Sequence, residues 1–151
     1  MSYSWRKPKP WLISMILILV LFILMDSCLQ FRMSKKEINQ YFEKKTSKGT
    51  LHSYLFGFQK INYLEVGSDN LPLVVFVHGS PGSLSAFIDF MADTALLQKA
   101  HLISVDRPGF GESNFGFGEK SIARQATVLK PLLDLYRVNR PIILEIGRAH
   151  V

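Results

Sequence analysis

Hydrophobic positions along this chain follow three different rhythms. Trp11 to Met25 is apolar at every position but Ser14, and Asp26, Ser27 and Cys28 close the run. A stretch apolar all round has no solvent face, which disfavours a core helix and points to a membrane helix or a signal sequence. Its 15 residues are short of the ~20 that span a bilayer, and Leu29 and Phe31 extend it past Asp26. Ser34-Lys-Lys-Glu37 then has capping-box spacing, and Ile38, Tyr41 and Phe42 fall at i, i+3, i+4. That spacing predicts a short amphipathic helix, either resting its lysines on anionic lipid or serving as a solvated spacer. Thr46 to Thr50 reads as a linker.

From Leu51 the rhythm becomes that of strands. Tyr54–Phe58 and Lys60–Val66 predict a hairpin, with Ile61, Tyr63 and Glu65 sharing one face, and Gly67 to Pro72 is a turn. Leu73–Val77 and His101–Val105 are apolar runs with little or no polar alternation, the mark of strands buried on both faces of a parallel sheet. Between them Leu84, Phe87, Ile88, Met91 and Ala95 keep helical spacing, with Ser83 or Ser85 placed to cap. Ile122, Gln125, Ala126, Leu129, Leu132, Leu133 and Tyr136 define another helix, which Pro131 should kink or restart. Pro141 to Leu144 begins a third buried strand. The alternation predicts an α/β fold: an N-terminal hairpin followed by a parallel βαβαβ unit, preceded by a membrane helix.

Charge narrows the partners. Residues 1 to 50 hold nine Lys/Arg and three Asp/Glu, whereas residues 51 to 151 hold nine of each. The net +6 therefore belongs to the N-terminal tail, and the globular part carries no electrostatic footprint for nucleic acid. Arg6, Lys7 and Lys9 before the apolar run favour a cytoplasmic N-terminus and an extracytoplasmic domain, although Arg32, Lys35 and Lys36 after it pull the other way. Cys28 is the lone cysteine, so no intrachain disulfide and no cysteine-based metal site can form; after the small Ser27 it is also a candidate lipoprotein cysteine. No metal, nucleotide or other cofactor is indicated: Gly109-Phe-Gly111 lacks the later glycine of a dinucleotide fingerprint, and no Gly-Lys-Ser/Thr occurs.

Each buried strand runs into a Gly/Pro turn, and such turns at the carboxyl ends of strands are where open α/β sheets place ligands. The turns are His78-Gly-Ser-Pro-Gly-Ser83 and Asp106-Arg-Pro-Gly-Phe-Gly-Glu-Ser113. In this order and at this spacing they resemble the α/β-hydrolase fold family over about Leu51 to Leu144. The resemblance implies that the first turn follows the family's third strand and forms half of an oxyanion hole. The Ser80 backbone N–H would be the donor, Gly79 and Gly82 would allow the sharp approach, and His78 and Pro81 would shape the loop. It implies a bordering loop from the second turn, held by Asp106, Arg107 and Gly109, with a substrate role as the alternative for the two charged residues; Phe110 and Phe115 are candidate pocket linings or, equally, exposed or core aromatics. The Ser80 and Ser83 side chains read as turn and cap groups.

The family's nucleophile sits on a Gly-x-Ser-x-Gly elbow after the fifth strand, where Pro141–Leu144 leads. No such motif occurs here; Gly111-Glu-Ser113-Asn-Phe115 is nearest and lacks the last glycine. The family's acid and catalytic His, which come later, have no counterpart. The chain instead ends Glu145-Ile-Gly-Arg-Ala-His-Val151. Ile-Gly-Arg-Ala-His-Val resembles one reading frame of a common sequencing adapter, so residues 145–151 are expected to be non-native and His150 to carry no catalytic meaning. The alternative is a natural, divergent terminus.

The expected organisation is a basic tail (1–10), an anchor or signal segment (11–31), an amphipathic helix and linker (32–50), the N-terminal part of a hydrolase domain (51–144) and the terminal tail (145–151). What the resemblance implies for the full-length parent is a membrane-anchored hydrolase acting on a small-molecule ester, amide or peptide, epoxide or similar substrate by a nucleophile–His–acid mechanism. The fragment itself is expected to be inactive. The alternative is a non-catalytic binding or interaction module on the same fold. Oligomeric state is not legible.

Overall fold

The computed structural model describes residues 9–28, 32–114, 116–137 and 140–147. The chain divides into two units, Met1–Gln30 and Phe31–Val151. In the first, helix α1 spans Pro10–Cys28. Trp11, Ile13, Met15 and every residue from Ile16 to Phe22 are exposed apolar side chains. Among the described residues no helix is long and apolar enough to cross a membrane.

The second unit is an α/β layer structure. Its elements are α2 (Lys35–Glu43), β1 (Gly49–Phe56), β2 (Gln59–Val66), β3 (Leu73–Val77), a 3-10 turn (Leu84–Phe87), α3 (Ile88–Met91), α4 (Thr94–Leu97), β4 (His101–Val105), α5 (Ile122–Tyr136) and β5 (Ile142–Ile146). The sheet is mixed, in the order β1-β2-β4-β3-β5. β1 and β2 form an antiparallel hairpin turning at Gly57, and β2 joins β4 antiparallel. β3 lies between β4 and β5, parallel to both. The hairpin followed by a parallel βαβαβ unit is thus the arrangement that the strand and helix rhythms predict.

Both faces of β3 and β4 are covered, which is why these central strands lack polar alternation. Phe76 and Leu102 face one way, into a core with Ile38, Phe42, Leu64, Leu84, Ile88 and Met91. Val75, Val77, Ile103 and Val105 face the other way, against Val128, Leu129 and Leu132 of α5. Burying each such large side chain contributes roughly 1.5–3 kcal/mol. β5 pairs with β3 on one side and leaves Ile143, Leu144 and Ile146 exposed.

Three expectations change. First, α2 is not a solvated spacer, and the connection from it to β1 is only residues 44–48. The Ser34–Glu37 capping box is formed, and α2 buries Ile38 and Phe42 in the core. The ring of Phe42 lies so close over Gly49 that a Cβ there would stand 2.7 Å from it, and β1 has already begun at Gly49. Second, the helix expected through Ala95 breaks after Met91. Asp93 caps a new turn by accepting from Leu96 N–H (2.8 Å), so Ala92 is buried and Ala95 is exposed. Ser83 makes no capping bond. Third, Pro131 neither ends nor restarts α5. It sits on the solvent face, where water can satisfy the carbonyl its missing N–H leaves free.

Candidate active site

The parallel pairing of β3 and β4 sets Val77 beside Val105, so the turns after them emerge side by side. His78 joins the two. Its Nδ1–H donates to Gly79 O (2.7 Å) and its Nε2 accepts from Arg107 N–H (3.1 Å). Arg107 N–H can only donate, which fixes the tautomer. Burial pushes the His78 pKa down to about 4, with the Gly79 bond opposing and the Arg107 charge adding to the depression. A neutral ring with both nitrogens engaged has no lone pair left to take a proton from a substrate. Gly82 packs over it: a Cβ there would meet His78 Nδ1 at 3.2 Å and Gly79 O at 3.1 Å.

This bridge holds a turn whose next residue is available. Ser80 is exposed, the Ser80–Pro81 peptide is cis, and no described residue accepts a hydrogen bond from the Ser80 N–H. The end of β5 approaches the same turn. Gly147 N–H donates to Val77 O (2.7 Å), and a Cβ on Gly147 would lie 3.1 Å from Gly79 N.

Asp106 is the matching brace on the second loop. Its Oδ1 accepts from Leu84 N–H (2.7 Å) and its Oδ2 from Glu112 N–H (2.8 Å), tying β4 to the helical layer and to its own loop. Burial raises its pKa to about 6 against the pull of those two bonds. Gly111, at φ +53°, is pressed onto the carboxylate: a Cβ would stand 2.2 Å from its atoms. Gly109, at φ +88°, is packed as closely against Gly118. The Arg107 guanidinium stacks on Phe110 at 4.6 Å, and the Phe110 ring meets His78 edge-on at 5.3 Å. Phe110 is therefore a wedge between these groups. Phe115 lies outside the described residues.

Two braces escape a reading of the motifs. Asn62 on β2 donates from Nδ2 to Glu112 O (2.5 Å), and its N–H donates to Ser113 Oγ (2.8 Å). The one signal for Asn62 in the sequence is a polar residue between Ile61 and Tyr63. A cavity of about 80 Å³ lies behind the loops toward α2, lined by Ile38, Leu51, Asn62, Leu84 and Asp106; Ser80 does not line it. Among the described residues no cluster of three His, Cys, Asp or Glu is arranged to hold a metal.

Solved structures share this fold. An α/β-hydrolase fold protein from Burkholderia ambifaria matches 62% of this chain and 33% of its own length, at 24% identity and a TM-score of 0.51. This chain has the α/β-hydrolase fold. A loop variant of the haloalkane dehalogenase DbeA from Bradyrhizobium elkanii matches 65% of this chain and 32% of its own, at 26% identity and a TM-score of 0.52. A bacterial membrane phospholipase A matches 91% of this chain and 44% of its own, at 22% identity and a TM-score of 0.57. The chain thus spans less than half the length of these α/β-hydrolase-fold structures. No family model matches the sequence.

Proposed function

We propose that this chain is part of a membrane-anchored α/β-hydrolase-fold hydrolase in which the Ser80 N–H stabilises the oxyanion of the reaction. One observation carries the reading: a free backbone donor on a turn locked by His78, at the point where the ends of β3 and β5 converge. Negative charge that develops on a substrate oxygen is stabilised by donors already aimed at it, at ~3–4 kcal/mol per donor. The second donor and the nucleophile would follow β5, whose parallel pairing with β3 directs its carboxyl end toward the Ser80 turn. His78, Asp106, Arg107, Gly109, Pro81 and Gly82 hold the two loops and take no part in proton transfer. The covalent intermediate, and the water that resolves it, depend on a nucleophile, acid and base not among the described residues.

The substrate is a small molecule with an electrophilic carbon: an ester, amide or peptide, epoxide or similar. The fold's solved relatives include a dehalogenase and a phospholipase, so the elbow residue decides the chemistry, Ser favouring acyl transfer and Asp favouring epoxide or halide opening. Assaying the full-length parent against ester and epoxide panels, with active-site labelling, tests this. Turnover with a labelled nucleophile supports a hydrolase; a folded parent with neither is a non-catalytic module.

The anchor is Trp11–Phe31. The apolar exposure of α1 along Trp11–Phe22 supports it, since an apolar surface of that length gains nothing by lying on water. The described helix does not by itself meet the length and apolarity of a span, so the anchor needs the apolar run to continue through Leu29 and Phe31. The domain then lies on the extracytoplasmic side; lipidation of Cys28 is the alternative attachment. Membrane retention through alkaline carbonate washing, and its survival in Cys28→Ala, separate the two.

A further inference from the structure

The end of the sheet opposite the two loops holds a second polar cluster, built around Glu65 and His101. Glu65 Oε1 is 2.8 Å from His101 Nε2, and Oε2 is 3.0 Å from His52 Nε2 and 2.9 Å from the Tyr136 hydroxyl that donates to it. Tyr63 OH lies 3.5 Å from Tyr136 OH. On the other side of the His101 ring, Nδ1 is 3.1 Å from Arg140 Nη1. A guanidinium nitrogen only donates, so Nδ1 accepts and the ring proton sits on Nε2, pointing at Glu65. His101 is therefore neutral, in one tautomer, between a carboxylate and a cation, and it is 1% exposed.

Arg140 is the residue this arrangement positions. Its Nη1 also donates to Asp69 O (2.5 Å) and Leu71 O (3.1 Å), and its Nε donates to Tyr136 O (3.1 Å). One side chain thus ties the end of α5, the turn entering β3 and the start of β4. The next residue, Pro141, accepts from Leu73 N–H (3.0 Å), and β5 begins at Ile142. β5 is held in the sheet by β3 alone among the described strands, and its far end sets Gly147 against the Ser80 turn.

We propose that Arg140 and neutral His101 form an acid-labile clasp that fixes β5, so that protonation of His101 loosens the strand leading to the oxyanion turn. A second proton must go on Nδ1, which turns the Arg140 contact into donor against donor and cation against cation. Every charged or titratable group facing the ring enters this balance: Glu65 from β2, Tyr136 from α5, Arg140 from the α5–β5 connection and Asp69 from the β2–β3 turn, with His52 sharing the Glu65 carboxylate. Burial holds the imidazole below its ordinary pKa; Glu65 opposes this and Arg140 adds to it. With a depressed folded-state pKa the clasp is intact above the ordinary His range and is lost as pH falls through the folded-state value. The link to the oxyanion turn rests on the function proposed above; the clasp itself does not.

The test is amide exchange of Ile142–Ile146 in the whole chain, held in detergent micelles and expressed as protection factors, between about pH 7.5 and about pH 4.5. Protection should fall about ten-fold or more on acidification. His101→Gln keeps a donor for Glu65 and an acceptor for Arg140 but cannot titrate, and should lose markedly less protection than the native chain, the remainder being the loss that His78 contributes. His52→Gln should leave the fall in place. Unchanged protection in the native chain, or the same fall in His101→Gln, overturns the proposal. Ring ¹⁵N shifts of His101 in the native chain give an independent check: a protonated Nε2 and bare Nδ1 at neutral pH are expected, and the opposite tautomer overturns it. None of these readouts involves hydrolysis, so a catalytically dead protein leaves them standing.

Discussion

Gly111 shows how much of this fold is decided by single atoms that are absent. Its φ of +53° disfavours a side chain, and its neighbour is the Asp106 carboxylate that braces both loops. Gly111→Ala should destabilise the domain by roughly 2–4 kcal/mol, because a methyl displaces a buried, doubly bonded carboxylate. Gly116→Ala, at φ +88° with nothing within 4 Å, should cost only about 1 kcal/mol. Urea midpoints compare the two. His78 offers a pH counterpart. A pKa depressed to about 4 from 6.5 means that the unfolded chain takes up the proton first, so stability from this ring is full above pH 6.5 and drains away toward pH 4. The His78 ring resonance should stay flat from about pH 7.5 to about pH 5.5 while an exposed histidine titrates; a normal titration would refute the bridge. The glycine and proline turns announced these loops in the sequence. Asn62 and Ser113 did not, because a brace is recognised only once its partner on a distant segment is known.

At the scale of elements, α2 changes the picture most. Its capping box and i, i+3, i+4 spacing foretold a helix, yet nothing local tells a helix that packs from one that floats. The structure shows packing: Ile38 and Phe42 join the core that covers Phe76 and Leu102. Phe42→Ala should therefore cost about 3–5 kcal/mol in denaturation, where a spacer helix would lose almost nothing. The break after Met91 has the same origin in reverse. Spacing alone carried the helix on to Ala95, but Asp93 supplies a cap that competes for Leu96 N–H, and capping chemistry wins over a weak apolar period. The strands were legible because burial on both faces leaves an unbroken apolar run, and their neighbours in the sheet followed from the βαβ rhythm.

At the largest scale, the β5 edge, unpaired among the described strands, and the exposed apolar side chains of Trp11–Phe22 set behaviour in solution. Ile143, Leu144 and Ile146 present an apolar strand with an open edge, which invites pairing with other chains. Ile143→Lys should lower the aggregated fraction in light scattering without lowering the unfolding midpoint; a lower midpoint would mean that Ile143 supports the core. The α/β-hydrolase fold itself rests on two turns whose order and spacing were visible from the start, and on a sheet that places them together. The chemistry proposed for it rests on Ser80. The decisive measurement is ester hydrolysis by the full-length parent carrying Ser80→Pro, which removes the N–H, beside Ser80→Ala, which keeps it. A fall in kcat of about 10²–10³-fold is expected for the proline variant and little change for alanine. Equal rates in folded protein for native and Ser80→Pro would contradict it.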